Sequence, residues 1–266
     1  MIDVIIPAYN CQKTLGRTLS SLVAQTDNNF KVIIVNDKSQ ENIDSIVDEY
    51  SKRLDINYIK NEKNLGCGMS RQVGIDNATN SHFTFLDSDD MFMPYTVETF
   101  NSIIEADPDT QFVHSYFYQQ VIISGDSALQ LMKEGYTWCH GKLYNAECIR
   151  KYDIHNSPLV KYADDSYFNS MCSELLEMKI VRLPLVLWTN TETSITRKVD
   201  SRRDETAMLD LLNALYMSSE HVLKYKSSVF HLTYTLEKIT ESLSHRQLSN
   251  DELIMFEKLK ELTQKG

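Results

Sequence analysis

The sequence predicts an α/β fold: a twisted, mostly parallel β-sheet flanked by helices, with a C-terminal helical appendage. Three observations predict it. Short, unbroken apolar runs alternate with amphipathic stretches through roughly the first ninety residues, a polar cluster follows each apolar run, and between Arg202 and Gly266 there is no glycine or proline. A strand buried on both faces reads as a continuous apolar run, whereas a surface helix repeats its apolar positions every three or four residues. Strands and helices in alternation are the signature of parallel pairing with crossover helices.

Val4, Ile5 and Ile6 form the first predicted strand, and Leu15, Leu19, Leu22 and Val23 mark the helix after it. Residues 31–35 are a second strand, followed by a helix carrying Ile43, Ile46, Val47 and Tyr50. Residues 56–59 predict a third strand, 67–78 a third helix and 82–86 a fourth strand. Pro94 suits the first position of a helix running to about residue 106, because a proline there sacrifices no helical hydrogen bond. Residues 111–123, rich in Val, Ile, Tyr and Phe, read as one or two strands, and 126–178 as short helices with a strand near 138–143. A last strand covers 179–188, interrupted by Pro184. Leu211, Leu212 and Leu215, then Leu232, Leu236, Ile239 and Leu243, recur at helical spacing and predict two or three helices. The chain therefore divides into 1–200 and a helical segment, 201–266.

Of the 266 residues, 42% are hydrophobic and 24% charged, which excludes wholesale disorder. The formal net charge of −10 disfavours non-specific nucleic-acid binding. Five cysteines with no C-x-x-C pair argue against a disulfide framework or a cysteine-built zinc site, and for a reducing compartment. The opening Met1-Ile2-Asp3-Val4 lacks a basic leader, and no apolar run reaches the length of a membrane span. The expected location is cytoplasmic, with peripheral membrane contact left open.

In open α/β sheets, ligands bind beyond the carboxyl ends of the strands, so the polar clusters there should converge on one crevice. Leu86-Asp87-Ser88-Asp89-Asp90 is the sharpest of them. Three carboxylates in four residues repel one another, and a hard divalent cation such as Mg²⁺ or Mn²⁺ relieves this. A nucleotide diphosphate leaving group needs the same cation. The plain alternative is a solvated turn whose Asp90 caps a helix.

Seven elements in order carry a resemblance: P-A-Y-N at 7–10, V-N-D-K-S at 35–39, N-L-G-C-G-M-S-R at 64–71, L-D-S-D-D at 86–90, H-G-K-L-Y at 140–144, Y-A-D-D-S-Y-F at 162–168 and S-I-T at 194–196. Over about residues 1–198 the chain resembles the inverting family 2 glycosyltransferases with a GT-A fold. The resemblance implies a UDP-sugar donor, Mn²⁺ or Mg²⁺ as cofactor and a hydroxyl-bearing acceptor, a glycan or glycolipid. It implies that Pro7, Ala8 and Tyr9 line the nucleotide pocket, together with Asn36, Asn64, Gly66 and Ser88. Asp37 would accept a hydrogen bond from uracil, and Arg71 would approach the nucleotide or diphosphate. Asp87 would face the ribose and the metal shell, with Asp89 binding the metal directly. Asp165 is the implied catalytic base, with Asp164, where the family usually has Glu, its supporting neighbour or an acceptor contact, and acid side chains at that position would also suit a helix start. Trp138, His140 and Lys142 are acceptor-side candidates.

Two departures stand out. Asn36 replaces the usual aspartate, and no His precedes S-I-T, so Asn190 or Glu192 substitutes or the site is more open; Arg197 and Lys198 could clamp the diphosphate. A nucleotidyltransferase or dehydrogenase is disfavoured because no glycine-rich phosphate loop follows the first strand. A non-catalytic nucleotide-sugar-binding protein, or an enzyme acting on protein or a modified nucleobase, are the alternatives. The C-terminal helices could serve acceptor recognition, membrane contact or homo-oligomer formation.

Overall fold

The structure, a computed structural model, describes residues 1–123, 126–189, 201–226 and 249–264. Asn190, Glu192, the S-I-T stretch, Arg197, Lys198 and the apolar positions from Leu232 to Leu243 lie outside the described residues.

Four parallel strands build the first half of a nine-stranded mixed sheet: β1 (Ile2–Ala8), β2 (Phe30–Asn36), β3 (Ile56–Lys60) and β4 (His82–Phe85). The full order is β3-β2-β1-β4-β8-β6-β9-β5, with β7 on β6. Here β5 is Met91–Phe92, β6 Phe112–Ile123, β7 Asp126–Met132, β8 Lys142–Asn145 and β9 Met178–Trp188. Beyond β4 the pairing is antiparallel except between β6 and β9.

Alternation along the strands produces two cores. Val4, Ile6, Val32 and Ile34 pack with α1 (Leu15–Val23), α2 (Asp44–Tyr50) and α4 (Thr96–Ala106). Ile5, Ile33, Val35, Phe83 and Phe85 point the other way. They meet α3 (Cys67–Asp76), α5 (Ala146–Lys151), α6 (Asp164–Leu175), α7 (Ser201–Val222) and α8 (Asn250–Gln264). With period-two side chains, a strand that is apolar throughout must be covered on both sides, which explains the unbroken runs. α7 belongs to this second core: Leu212, Ala214 and Leu215 are buried with Tyr167, Phe168 and Met171 of α6. Among the described residues, no helix is long and apolar enough to cross a membrane.

Four local expectations shift. Helix α4 starts at Thr96, two residues after Pro94, whose carbonyl accepts Thr26 N–H (2.8 Å). Residues 126–132 form β7, because β6 runs twelve residues and needs a hairpin partner. The strand near 138–143 begins only at Lys142, after Gly141 turns the backbone at φ 65°. Pro184 does not break β9: the pairing steps from Val181 opposite Ser115 to Pro184 opposite Tyr116. That bulge accommodates a residue with no N–H to donate.

Candidate active site

The parallel strands bring the ends of β1, β2 and β4 to one edge. Pro7 and Ala8 are buried in β1, and Tyr9 stands at the rim, 46% exposed. Asn10 Oδ1 accepts Gln40 N–H (2.8 Å), which joins the turns after β1 and β2. Asn36 donates to Tyr58 Oη (2.8 Å) and accepts Ser39 N–H (2.9 Å). Tyr58 in turn donates to Asp44 (2.8 Å), so the residue at position 36 must itself donate. An amide can donate and accept at once, which an ionised aspartate cannot, and this is a physical reason for asparagine here.

Asp37 is buried, and its carboxylate accepts Leu65 N–H (2.8 Å), Gly66 N–H (2.8 Å) and Asn61 Nδ2 (2.9 Å). Asn64 Nδ2 donates to its main-chain oxygen (3.2 Å). Asp37 thus shapes the loop into α3, where Gly66 holds φ 86°. A contact to uracil would share an oxygen already engaged in these bonds.

A buried guanidinium lies at the centre of the site. Arg71 donates through Nη2 to Asp87 Oδ1 (2.6 Å) and through Nη1 to Asp164 Oδ2, and its side chain is only 6% exposed. The resemblance sets Arg71 near the nucleotide or diphosphate; in the fold both ends of its fork meet carboxylates, because two buried acids need a shared countercharge. Burial pushes Asp87 upward, but Arg71 and then His140 outweigh it and hold the carboxyl below its ordinary range. At Asp164, burial wins over Arg71 and the carboxyl sits above that range. Cys139 Sγ adds a contact to Arg71 Nη2 (3.4 Å).

Helix α3 reaches this cluster because Gly68 has no side chain: a β-carbon there would lie 2.7 Å from Asp164 Cβ. Gly68→Ala is therefore expected to displace Asp164 and cost about 1–3 kcal/mol, the usual cost of overpacking. Chemical denaturation of the variant checks this, and an unchanged midpoint would refute it.

The 86–90 turn is tied to the end of β9. Asp90 Oδ1 accepts Thr189 N–H (2.8 Å), and the Asp89 main-chain oxygen accepts Arg17 Nη2 (2.8 Å) and the Thr189 hydroxyl. His140 Nε2 lies 3.1 Å from Asp90 Oδ2, its ring stacked between Phe117 (5.3 Å) and Trp188 (4.9 Å). Burial alone would lower the His140 pKa; Asp90 and then Asp87 outweigh it and raise it. Trp138 packs edge-on against Trp188 (5.5 Å) in the same aromatic group.

Ligand atoms of Asp87, Cys139 and His140 lie within 4.8 Å of one another. His140 is buried, and its Nδ1 has no hydrogen-bond partner. The group offers a carboxylate, a thiol and an imidazole nitrogen, donor types that divalent cations accept; Asp89, expected to bind the metal directly, is not one of its members.

Asp165 stands at the start of α6, its Oδ1 accepting Ser166 N–H (2.7 Å). Burial, then the Asp164 carboxylate, push it from an ordinary 3.8 up to about 6. Asn169 accepts Tyr144 Oη (2.7 Å) and donates to the Asp165 carbonyl (2.9 Å), steadying this turn. Lys142, expected beside an acceptor, is instead fully buried, so it lines no groove. Its Nζ lies 2.7 Å from His114 Nδ1 and donates to the Gly135 carbonyl (3.1 Å). Burial lowers the Lys142 pKa to about 7; burial and the lysine charge lower His114 to about 3.

Sequence reasoning missed Arg17, Cys139, Thr189 and Asp210. The Asp210 carboxylate of α7 accepts the main-chain N–H of Lys161, Tyr162 and Ala163, just ahead of α6. Cys139 had one available signal, its adjacency to His140; the others have none in the local pattern.

Residues 3–157 match the family described as Glycosyl transferase family 2. An uncharacterized glycosyltransferase of Haemophilus influenzae is 34% identical over 138 residues, 52% of this chain and 42% of that protein. The amylovoran biosynthesis glycosyltransferase AmsB of Erwinia amylovora is 37% identical over 137 residues, 49% of this chain and 44% of AmsB. This chain's matches thus span less than half the length of those two curated relatives. Among solved structures, S. aureus TarS 1–349 in complex with UDP-GlcNAc superposes with a TM-score of 0.72 at 18% identity, covering 97% of this chain and 79% of that one. The mannosyltransferase PcManGT of Pyrobaculum calidifontis, in complex with GDP-Man and Mn²⁺, gives 0.58 at 12% identity, covering 99% and 83%. At such identities the likeness is one of fold, the GT-A fold, whose helix-flanked mixed sheet this chain shares. The chain belongs to glycosyl transferase family 2.

Proposed function

We propose that the protein is a metal-dependent, inverting glycosyltransferase that moves a sugar from a UDP-sugar to a hydroxyl of a glycan or glycolipid acceptor in cell-surface glycan synthesis. The observation that carries the reading is the Arg71 bridge, which couples the Asp87 turn to the start of the helix bearing Asp165. A transferase of this kind needs its leaving-group side and its base held in fixed relation, since near-attack geometry accounts for much of the rate. An anion-rich turn at the carboxyl edge of a parallel sheet also suits a nucleotide diphosphate that arrives with a cation. UDP-GlcNAc in TarS and Mn²⁺ in PcManGT support the same donor class and cofactor, and the amylovoran role of AmsB supports a glycan acceptor.

In this reading Asp87 and Asp89 would hold the cation, with His140 close to Asp87. Bound there, it neutralises charge on the departing diphosphate. Pro7, Ala8 and Tyr9 flank the nucleotide, with Asp37, Asn64 and Gly66 shaping the loop opposite. Asp165 takes the proton from the acceptor hydroxyl while that oxygen bonds to the sugar carbon and the bond to UDP breaks on the far face. A carboxylate near pKa 6 is ionised at neutral pH and still basic enough for this work.

UDP release from a panel of UDP-sugars, with and without Mn²⁺, tests the proposal without knowledge of the acceptor. One sugar should give metal-stimulated release, with Asp89→Ala lowering the rate at least about 100-fold, a typical loss when a transition-state charge goes unstabilised. Equal rates with and without metal, or full activity in Asp89→Ala, would contradict the metal assignment. No nucleotide-sugar binding at all would overturn the donor class.

A further inference from the structure

Asp210 lies on α7, far from the site in sequence, yet its carboxylate holds the chain just ahead of the proposed base. Its Oδ1 and Oδ2 accept Lys161 N–H (3.1 and 3.0 Å), and Oδ2 also accepts Tyr162 N–H (2.6 Å) and Ala163 N–H (2.9 Å). Three consecutive amides converging on one anion fix the direction of a peptide segment, because charge-assisted hydrogen bonds are strong and directional. The next two residues are Asp164 and Asp165. Ala163, at the N-cap of α6, has no side-chain oxygen of its own with which to cap the helix.

Other attachments of α7 among the described residues act further back. Asn213 Nδ2 donates to the Leu159 carbonyl (3.3 Å), and His221 Nε2 lies 2.8 Å from the Tyr152 carbonyl. Leu212 and Leu215 pack on α6 in the core. Apolar packing is non-directional and sets the distance between helices rather than the orientation of a loop. The Asp210 carboxylate supplies directional bonds to three consecutive amides at 161–163, while Arg71 and Asn169 hold Asp164 and the Asp165 carbonyl just beyond them.

We propose that Asp210 is a positioning residue for Asp165, so that the C-terminal helix α7 completes the acceptor side of the transfer site by clamping residues 161–163. This rests on the assignment of Asp165 as base. Asp210 touches neither donor nor cation in this arrangement, so its loss should spare nucleotide binding and slow the proton-transfer step. A displacement of about 1 Å at a reacting group is enough for a loss on the order of 100-fold.

The test compares Asp210→Ala and Asp210→Asn with wild type in the full chain. UDP binding is titrated by calorimetry to count competent sites, UDP release is measured per binding site across pH, and amide hydrogen exchange is followed over residues 160–166. Asp210→Ala should bind UDP as wild type does and lose about 10- to 100-fold in rate per site. Its acid limb should move, because the surroundings of Asp165 change, and its 161–166 amides should exchange faster. Asp210→Asn keeps one acceptor oxygen and should recover part of the rate. An unchanged rate per UDP-binding site, or exchange at wild-type speed, overturns the proposal. Should the alanine variant not fold, Asp210→Asn decides: a full wild-type rate and pH profile overturns it, a partial loss with a shifted profile supports it. If wild type itself binds no UDP and releases none, the donor assignment has failed, and the exchange data alone then judge the clamp.

Discussion

Asp165→Asn is expected to abolish transfer while making the protein more stable at neutral pH. The activity loss should reach about 10²- to 10⁴-fold in kcat, the usual contribution of a positioned general base. Asn is nearly isosteric and keeps the oxygen that accepts Ser166 N–H, so donor affinity should hold. In the wild type, the rate should fall as pH drops through about 6, because protonated Asp165 cannot accept the hydroxyl proton. The stability gain has the same origin. Folded Asp165 holds its proton to about pH 6, whereas in the unfolded chain it loses it near 3.8. The native state therefore binds more protons between those values, and stability declines as pH rises across that window. Asparagine carries no such penalty, so its thermal midpoint should exceed wild type above pH 6 and approach it below about 4. A variant with normal kcat removes Asp165 from the base role. One that is inactive but no more stable at neutral pH would mean that the ionised carboxylate is better compensated than its burial indicates.

Arg71→Ala should produce the largest stability loss in the molecule, about 3–5 kcal/mol, the range seen when one partner of a buried ion pair is removed. The guanidinium is 6% exposed and its partners Asp87 and Asp164 are 26% and 9% exposed, so solvent can repair little. Both carboxyls would rise in pKa without their countercharge. The deficit should therefore be greatest at neutral pH and shrink as the solution is acidified, when the stranded acids take up protons. Urea midpoints of variant and wild type at two pH values check this. An equal deficit at both would assign the loss to packing against Phe85, whose ring centre lies 5.7 Å from the guanidinium carbon. Arg71→Lys should rescue only part, because a single ammonium cannot span two carboxylates as the planar fork does. Nucleotide binding should weaken alongside stability, since Asp87 belongs to the proposed cation-holding turn.

The readable part of this protein was its local part. Unbroken apolar runs at Val4-Ile5-Ile6 and in β2 reported strands covered on both faces, because burial on alternate sides leaves no polar position. Polar clusters after those strands reported the edge where buried charges gather, and the three carboxylates at 87–90 reported a concentration of negative charge that Arg71 and His140 meet. Such inferences need only residues close in sequence. What lay beyond them was the choice of partner for each buried charge. Arg71 and Asp164 are 93 residues apart, Lys142 and His114 are 28 apart, and Asp210 lies 47 to 49 residues from the amides it holds. Those meetings depend on strand order: β8 inserts between β4 and β6, which brings Cys139 and His140 beside Asp87 and sinks Lys142 beneath them. The sequence by itself determined the alternation of strand and helix and the edge at which chemistry gathers, since hydrophobic periodicity acts over a few residues. Only the tertiary structure decided which acids are paired, which carry a raised pKa, and which helix holds the segment ahead of Asp164 and Asp165, because desolvation and countercharge are set by neighbours that chain crossing alone brings together.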